Sequence, residues 1–399
     1  MLAPLLGLGQ ICSWGSLYYS FPLIVLRMQD ELGWSKSELY AGATIGLAMT
    51  ALLSYPVGVG IDRGWGRWIM GGASMAALLV MGWWSMTDHL LAFYVICALC
   101  GAIQAAVLYE PAFAVFARHV GARNARAGIT HITLWGGFAS TVFIPATELL
   151  ITAFDWRATL LWLGSVNFIF GLMYVWLIKP KSDLDHAHTH EQRLADILRD
   201  RQIVRANLGN SLFWLILGTL AIYAGMFSAF TFHMYPLLQE DGLSERDVVV
   251  AIAIIGPAQV LGRYLVTIYA PGMPMRLLGA LMVTVFPIAF AMLIPANPGF
   301  WLVAVVFAAY GMANGIFTIV RSFVVPEMLS PHAYGALNGI ITIAATIARA
   351  AAPLAAAWLW TVNQSYGLVM MAIVGASLLL AAGFWTAAWR TRHTTRDSN

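Results

Sequence analysis

The chain has 399 residues, 60% of them hydrophobic and only 10% charged, with a net charge of +3 and a mean hydropathy of +0.74. A soluble globular chain carries about 25% charged residues, so this composition excludes that class and marks a polytopic membrane protein. So small a charge excess gives no reason to invoke a nucleic-acid partner.

Crossing a hydrocarbon core of ~30 Å takes ~20 apolar residues in a helix. Twelve stretches qualify: 3–26, 37–61, 68–87, 91–117, 127–151, 158–178, 207–237, 247–269, 275–295, 299–325, 334–360 and 365–389. The expected fold is therefore all-α, with twelve transmembrane helices and no room for a soluble catalytic domain. The first run is too long for a signal-peptide core and lacks a basic segment before it, so it is expected to stay as the first span. The expected domains are a six-helix bundle over 1–178, a cytoplasmic linker over 179–206, and a second bundle with a short tail over 207–399. Short loops rich in Lys and Arg stay on the cytoplasmic side. With both termini inside, the inner segments hold Arg63, Arg67, Arg118, Arg123, Arg126, Lys179, Lys181, Arg193, Arg199, Arg201, Arg205, Arg276, Arg390, Arg392 and Arg396. The outer ones hold only Arg27, Lys36, Arg157 and Arg246.

The first span carries Gln10, Trp14, Tyr18 and Phe21 on one face, suited to a pocket lined by hydrogen-bonding aromatics. Tyr18 and Tyr19 read equally as interfacial anchors. Cys12, Cys97 and Cys100 lie in apolar helix. The Cys97–Cys100 spacing resembles a redox or metal pair, but such surroundings suppress thiolate chemistry, and the three read as packing residues. Glu110 in the fourth span and Glu148 near the outer end of the fifth are the acidic groups within spans. Glu110 is the preferred proton carrier; the alternative is a salt bridge to Arg321 or Arg118 that latches the cytoplasmic side. His131 in the fifth span and His233 in the seventh titrate in the range that proton coupling needs, and His233 also reads as substrate-binding. Each has a second reading as a hydrogen-bonded packing residue. Met226, His233 and Met234 lack a companion His, Met or Cys set, and no metal or cofactor is expected.

Between the halves, residues 179–205 form the one long polar stretch. Leu194, Ile197 and Leu198 give its second part the pattern of a surface amphipathic helix. His186, His188 and His190 alternate in an Asp-containing segment and read as solvated. His190-Glu191 begins a zincin pattern that fails at Leu194.

In the eighth span Gly256, Gln259, Arg263 and Thr267 follow steps of three and four, forming one polar stripe on an apolar helix. Asn338, Thr342, Thr346, Arg349 and Pro353 form another in the eleventh. Each stripe centres on a guanidinium, whose planar fork of donors matches a carboxylate or phosphate. An arginine near the bilayer centre costs at least ~2.5–3.5 kcal/mol on insertion scales, so it faces a cavity, a partner or an ion path. Arg349, Arg263, Gln259, Thr346, Trp14 and Tyr18 are thus the expected anion-binding residues. The competing readings are pairing of each arginine with a fixed carboxylate or helix C-terminus, and snorkelling of Arg263. Residues from the fourth span onward overlay those from the tenth at an offset of about 210, an internal repeat of the kind that places a site between two halves. This brings Glu110 within one residue of the position equivalent to Arg321. The pairs Gly42/Gly46, Gly311/Gly315 and Gly335/Gly339 have the spacing of close helix contacts.

Together, twelve spans, a central linker and the segment GVGIDRGWGRW make the chain resemble a major facilitator superfamily transporter. Gly58, Asp62, Arg63, Gly66 and Arg67 match that superfamily's loop motif between the second and third spans, with Trp65 standing where its second glycine is expected. The resemblance implies two pseudo-symmetric six-helix bundles and a gating role for Asp62, Arg63 and Arg67, to which Arg321 is joined. Asp155-Trp156-Arg157 is similar to the superfamily's Gly-Trp-Arg after the fifth span. The pattern Gly256-x-x-Gln259-x-x-x-Arg263 is similar to monocarboxylate transporters, with Gln259 in place of their aspartate. Basic residues in the eighth and eleventh spans also resemble the oxalate:formate antiporter branch. The glycine-proline signature that drug:proton antiporters carry is not evident in the fifth span.

The expected function is secondary active transport of a small organic anion, a carboxylate above all, across a bacterial-type inner membrane, proton-coupled or by exchange, in a monomer. The alternative is efflux of an amphipathic drug, siderophore or other metabolite. An intramembrane enzyme would need a nucleophile–base set, and HExxH, GxSxG and GxGxxG do not occur.

Overall fold

The computed structural model describes residues 2–120, 122–178, 202–270, 272–294, 298–329 and 334–394. Among the described residues the chain folds into twelve helices, ten of which are long and apolar enough to cross a membrane. The first, α1, covers residues 2–32 as Leu2–Trp14, a π turn Gly15–Tyr19, and Phe21–Leu32. Next come α2 (Lys36–Gly60), α3 (Gly66–Ser85), α4 (Leu90–Val107, then Tyr109–Val120), α5 (Ala122–Gly136, then Ala139–Ala153) and α6 (Trp156–Leu177). The second half holds α7 (Ser211–Glu240), α8 (Glu245–Tyr269), α9 (Met275–Ala291), α10 (Phe300–Met328), α11 (Tyr334–Asn363) and α12 (Gly367–Thr394). Helices α1–α6 pack as one bundle and α7–α12 as the other, meeting chiefly where α2 lies on α11 and α5 on α8. The histidine-containing linker and its expected amphipathic helix fall outside the described residues, apart from a helical turn pair over 202–208.

Prolines shape the helices that surround the interior. Each removes the N–H that would bond the carbonyl four residues back, and a bare carbonyl away from water costs several kcal/mol. Three such carbonyls are taken by side chains from other helices. Pro111 frees Val107 O, which accepts from Gln10 Nε2 at 2.8 Å. Pro236 frees Phe232 O, which accepts from Tyr40 Oη at 2.8 Å. Pro257 frees Ala253 O, which accepts from Thr141 Oγ1 at 2.8 Å. The first bond fixes the break in α4 against α1; the other two cross between bundles.

Glycines set the closest approaches. A Cβ on Gly101 would fall against the backbone oxygen of Gly46, and one on Gly315 against that of Gln259. Gly42, Gly46, Gly311 and Gly315 are contact glycines as their spacing implies. Gly339 is not: it has open space where a Cβ would stand. Gly64 takes φ +86 in the turn between α2 and α3, a left-handed conformation that favours glycine.

Two outcomes follow for thermal unfolding of the purified protein. Thr141→Val, which keeps the shape and removes the hydroxyl, should lower stability by about 0.5–2 kcal/mol because Ala253 O loses its donor. Gly315→Ala should cost about 1–3 kcal/mol through backbone displacement of α10 from α8. Unchanged melting in either variant would contradict the packing described.

Candidate functional site

Between the bundles lies a cavity of about 130 Å³. The π turn in α1 aims Trp14, Tyr18 and Tyr19 into it; α4 supplies Gln104, Tyr109 and Glu110 at its break, and α7 supplies Tyr223 and Phe227. Gln259 and Arg263 come from α8, Asn314, Thr318 and Arg321 from α10, and Arg349 from α11. Three guanidiniums therefore share the cavity with one carboxylate.

Neither deep arginine is neutralised by an acid. Arg263 donates from Nε to Gly315 O at 3.1 Å, from Nη1 to Thr133 O at 3.0 Å and from Nη2 to Thr318 Oγ1 at 3.2 Å. These acceptors are uncharged, and the Thr133 bond crosses to the opposite bundle. Arg349 has a buried Nε with no hydrogen-bond partner, and among the described residues neither arginine has a salt-bridge partner. Pairing with a fixed carboxylate, one of the two competing readings of these arginines, is therefore not found among the described residues. The tyrosines interleave with the cations: Tyr223 lies within electrostatic reach of Arg263, Arg321 and Arg349, and Tyr109 within reach of Arg263, Arg321 and Glu110.

One end of the cavity is shut by contacts between bundles. Arg27 of α1 bonds Glu148 of α5 at 2.9 Å and Glu245 of α8 at 3.0 Å, while Tyr235 Oη reaches Glu148 at 3.1 Å. Lys36 Nζ stands 3.6 Å above the Trp360 ring and 4.6 Å above that of Tyr366. Glu240 holds the same two residues, at 2.8 Å to Trp360 Nε1 and 2.7 Å to the Tyr366 amide. Just past the end of α7, burial and the neighbouring Glu240 push the Asp241 carboxyl up to about 6. At the opposite end Ser54, Glu110 and Arg321 line the cavity mouth and are exposed.

Several expected roles are corrected by this geometry. His233 does not line the cavity: it is fully buried, stacked on Tyr40 at 4.0 Å, with Nδ1 2.9 Å from Tyr366 Oη and Nε2 2.9 Å from Pro353 O. Since Pro353 O can only accept, Nε2 carries the hydrogen and Nδ1 accepts from the tyrosine, so a neutral ring satisfies both contacts. The histidine belongs to the closed end, where neither a substrate nor a metal reaches its nitrogens. His131 is exposed beside Trp135 and away from the cavity. Thr346 is absent from the cavity wall and donates to Thr342 O in its own helix at 2.7 Å. Glu110 lines the cavity, and among the described residues it has no salt-bridge contact with Arg321 or Arg118, the alternative reading to its role as proton carrier. Gln10 is a buried carbonyl cap, and Phe21 packs between Tyr40, Trp84 and Phe232. Tyr18, 3% exposed, lines the cavity and is no interfacial anchor.

Of the expected gating residues, Arg63 is exposed, and Arg67 lies 4.3 Å over the Trp68 ring with its Nε unpaired. The side chain of Asp62 falls outside the described residues. Sequence reasoning missed Arg27, Lys36 and Glu240, whose only signal is charge at a helix end. It also missed Tyr109, Tyr223 and Asn314, which carry no local signal at all. Tyr223 Oη donates to Asn314 Oδ1 at 2.6 Å.

Residues 6–353 match the family model described as Major Facilitator Superfamily. The chain belongs to that superfamily. No curated protein matches it. Among solved structures it is similar to the nucleoside transporter NupG, at 13% identity and a TM-score of 0.75 over 97% of this chain and 98% of that one. It is also similar to a bacterial homolog of the human lysosomal transporter Spinster in an inward-facing, unoccupied conformation, at 14% identity and a TM-score of 0.72 over 97% and 96% of the two chains. The occupied form of that homolog gives 0.63 at 13% identity, over 98% and 96%. Likeness at this identity shows the fold, that of a superfamily transporter with two six-helix bundles.

Removing the charged contacts at the shut end should release it. In Arg27→Gln/Lys36→Ala, spin labels at exposed Thr152 and Thr361, on opposite bundles at that end, should show a separated population raised about tenfold, the equivalent of ~1.4 kcal/mol. An unchanged distance distribution would show that these contacts do not hold the bundles together.

Proposed function

We propose that this transporter moves a small organic anion, a carboxylate, across a bacterial-type inner membrane by alternating access. The observation that carries the reading is the pair Arg349 and Arg263, set in the inter-bundle cavity with no protein carboxylate on either. A desolvated guanidinium without a counter-ion is costly, and an anionic solute removes that cost while gaining charge-assisted hydrogen bonds. Gln259 lines the same wall as Arg263, at the place where the monocarboxylate pattern has an aspartate. Aromatic walls alone would suit an amphipathic neutral or cationic solute; three guanidiniums against one carboxylate weigh against it.

The excess of basic residues in the segments on the open side supports a cytoplasmic setting for that side and for both termini. The conformation is then inward-open, with Arg27, Lys36 and Glu240 closing the outer end and Arg63, Arg67 and Arg321 free to re-form contacts when the inner end closes. Glu110, at the mouth and without an ion-pair partner, is the titratable group placed to exchange a proton with the cytoplasm and with the solute path. The protein acts as a monomer, since each monomer holds a complete cavity.

Uptake of radiolabelled lactate, oxalate and benzoate into proteoliposomes under an imposed pH gradient tests the reading. Arg349→Gln should lower kcat/KM for the transported acid by about 100-fold, in line with the ~1.5–3 kcal/mol of a hydrogen bond to a charged group. Arg263→Gln should lower it by about tenfold or more, because its donors also hold neutral acceptors. Glu110→Gln should abolish gradient-driven accumulation while sparing counterflow exchange. Undiminished uptake after both arginines are neutralised would sink the proposal.

A further inference from the structure

Three buried donors at the cavity have no partner: Trp14 Nε1, Tyr18 Oη and Arg349 Nε. Trp14 and Tyr18 are one helical step apart in α1, their rings edge-on with centroids 5.2 Å apart. Tyr18 Oη faces Ser228 without meeting hydrogen-bond geometry, and it lies within electrostatic reach of Arg349 on the opposite bundle. Buried donors are ordinarily satisfied, so three unsatisfied ones gathered from two bundles mark a place for an acceptor that the protein does not itself supply.

The other two cations of the cavity are placed differently. Arg263 spends a donor from each of its nitrogens on neutral oxygens, and Arg321 stands exposed at the mouth, where water reaches it. Among the three cavity guanidiniums only that of Arg349 keeps a buried donor without a partner, which fits a single negative group. Around it the walls are flat. Trp14 leans on Tyr109 at 5.2 Å in the first bundle, and Tyr223 and Phe227 stack in the second, with an interplanar angle of 27°.

We propose that the substrate is a flat aromatic monocarboxylate, its carboxylate held jointly by Arg349 Nε, Tyr18 Oη and Trp14 Nε1 and its ring between the aromatic walls of the two bundles. This rests on the organic-anion reading above and narrows it. Because the three donors come from both bundles, the bound carboxylate itself becomes a bridge between them. Small anions without a ring satisfy the donors but leave the aromatic walls unfilled, and dicarboxylates bring a second charge for which the cavity offers no second buried, unpartnered guanidinium donor.

Calorimetric titration of the purified full chain with benzoate, acetate and oxalate tests this, with melting temperature as the check on folding. Benzoate should bind at least about tenfold more tightly than acetate or oxalate. Tyr18→Phe and Trp14→Phe, which keep the rings and remove the donors, should each weaken benzoate by about tenfold, and Arg349→Gln should abolish binding. The receptor is overturned if benzoate binds no tighter than acetate or oxalate. It is also overturned if both phenylalanine variants bind benzoate like the parent while Arg349→Gln does not, a result that leaves the broader anion reading standing. Binding of none of the three acids overturns both.

Discussion

A backbone carbonyl in a membrane interior must have a donor, and this fold is organised by the places where proline takes the donor away. Pro111, Pro236 and Pro257 each free a carbonyl, and Gln10, Tyr40 and Thr141 each supply the missing hydrogen bond from another helix. The proline sites in α4, α7 and α8 are thus tied to particular neighbours. Two of the three ties join the bundles, so the same requirement that makes the helices irregular also registers one half of the protein against the other. A transporter whose halves must separate at one end gains bonds of this kind that can be broken without exposing a charge.

The cavity depends on those irregular segments. In α1 the π turn shifts the helical register so that Trp14, Tyr18 and Tyr19 all reach the interior, as π turns at functional sites commonly do. In α4 the break before Pro111 brings Tyr109 and Glu110 to the wall. Against these stand regular stretches of α8, α10 and α11 carrying Arg263, Arg321 and Arg349. The first bundle supplies Trp14, Tyr18, Tyr19 and Tyr109, and the second supplies all three guanidiniums together with Tyr223 and Phe227. A solute that needs both must touch both, which is the condition for binding to influence how the bundles tilt.

The shut end shows a different chemistry. Its contacts are layered: charged pairs around Arg27 outermost, the Lys36–Trp360 contact and the Glu240 hydrogen bonds beside them, and His233 stacked on Tyr40 further in. Exposed ion pairs contribute little individually, typically ~0–1 kcal/mol, so closure rests on several modest contacts acting together with the buried bond from Tyr40 to Phe232 O. This suits a gate that must open on every cycle, since no single contact is strong enough to trap the closed form.

Residue types alone were enough to determine that the chain is an all-α membrane protein of twelve helices, and that Arg263 and Arg349 lie too deep in apolar helix to be ordinary surface charges. Those facts follow from length, hydropathy and the cost of a buried guanidinium, all of which are local. Tertiary structure decided what each polar group meets. His233, in a stretch of the seventh span that reads like a cavity wall, is locked between Tyr366 and Pro353; Thr346, on the same stripe as Arg349, turns to its own helix; Glu110 lines the mouth unlatched. Arg263, equal to Arg349 by pattern, is tethered by neutral oxygens while Arg349 is not. Periodicity fixes which residues share a face of one helix, but the direction of that face depends on kinks and on the packing of helices hundreds of residues apart, and that information exists only once the bundles are assembled.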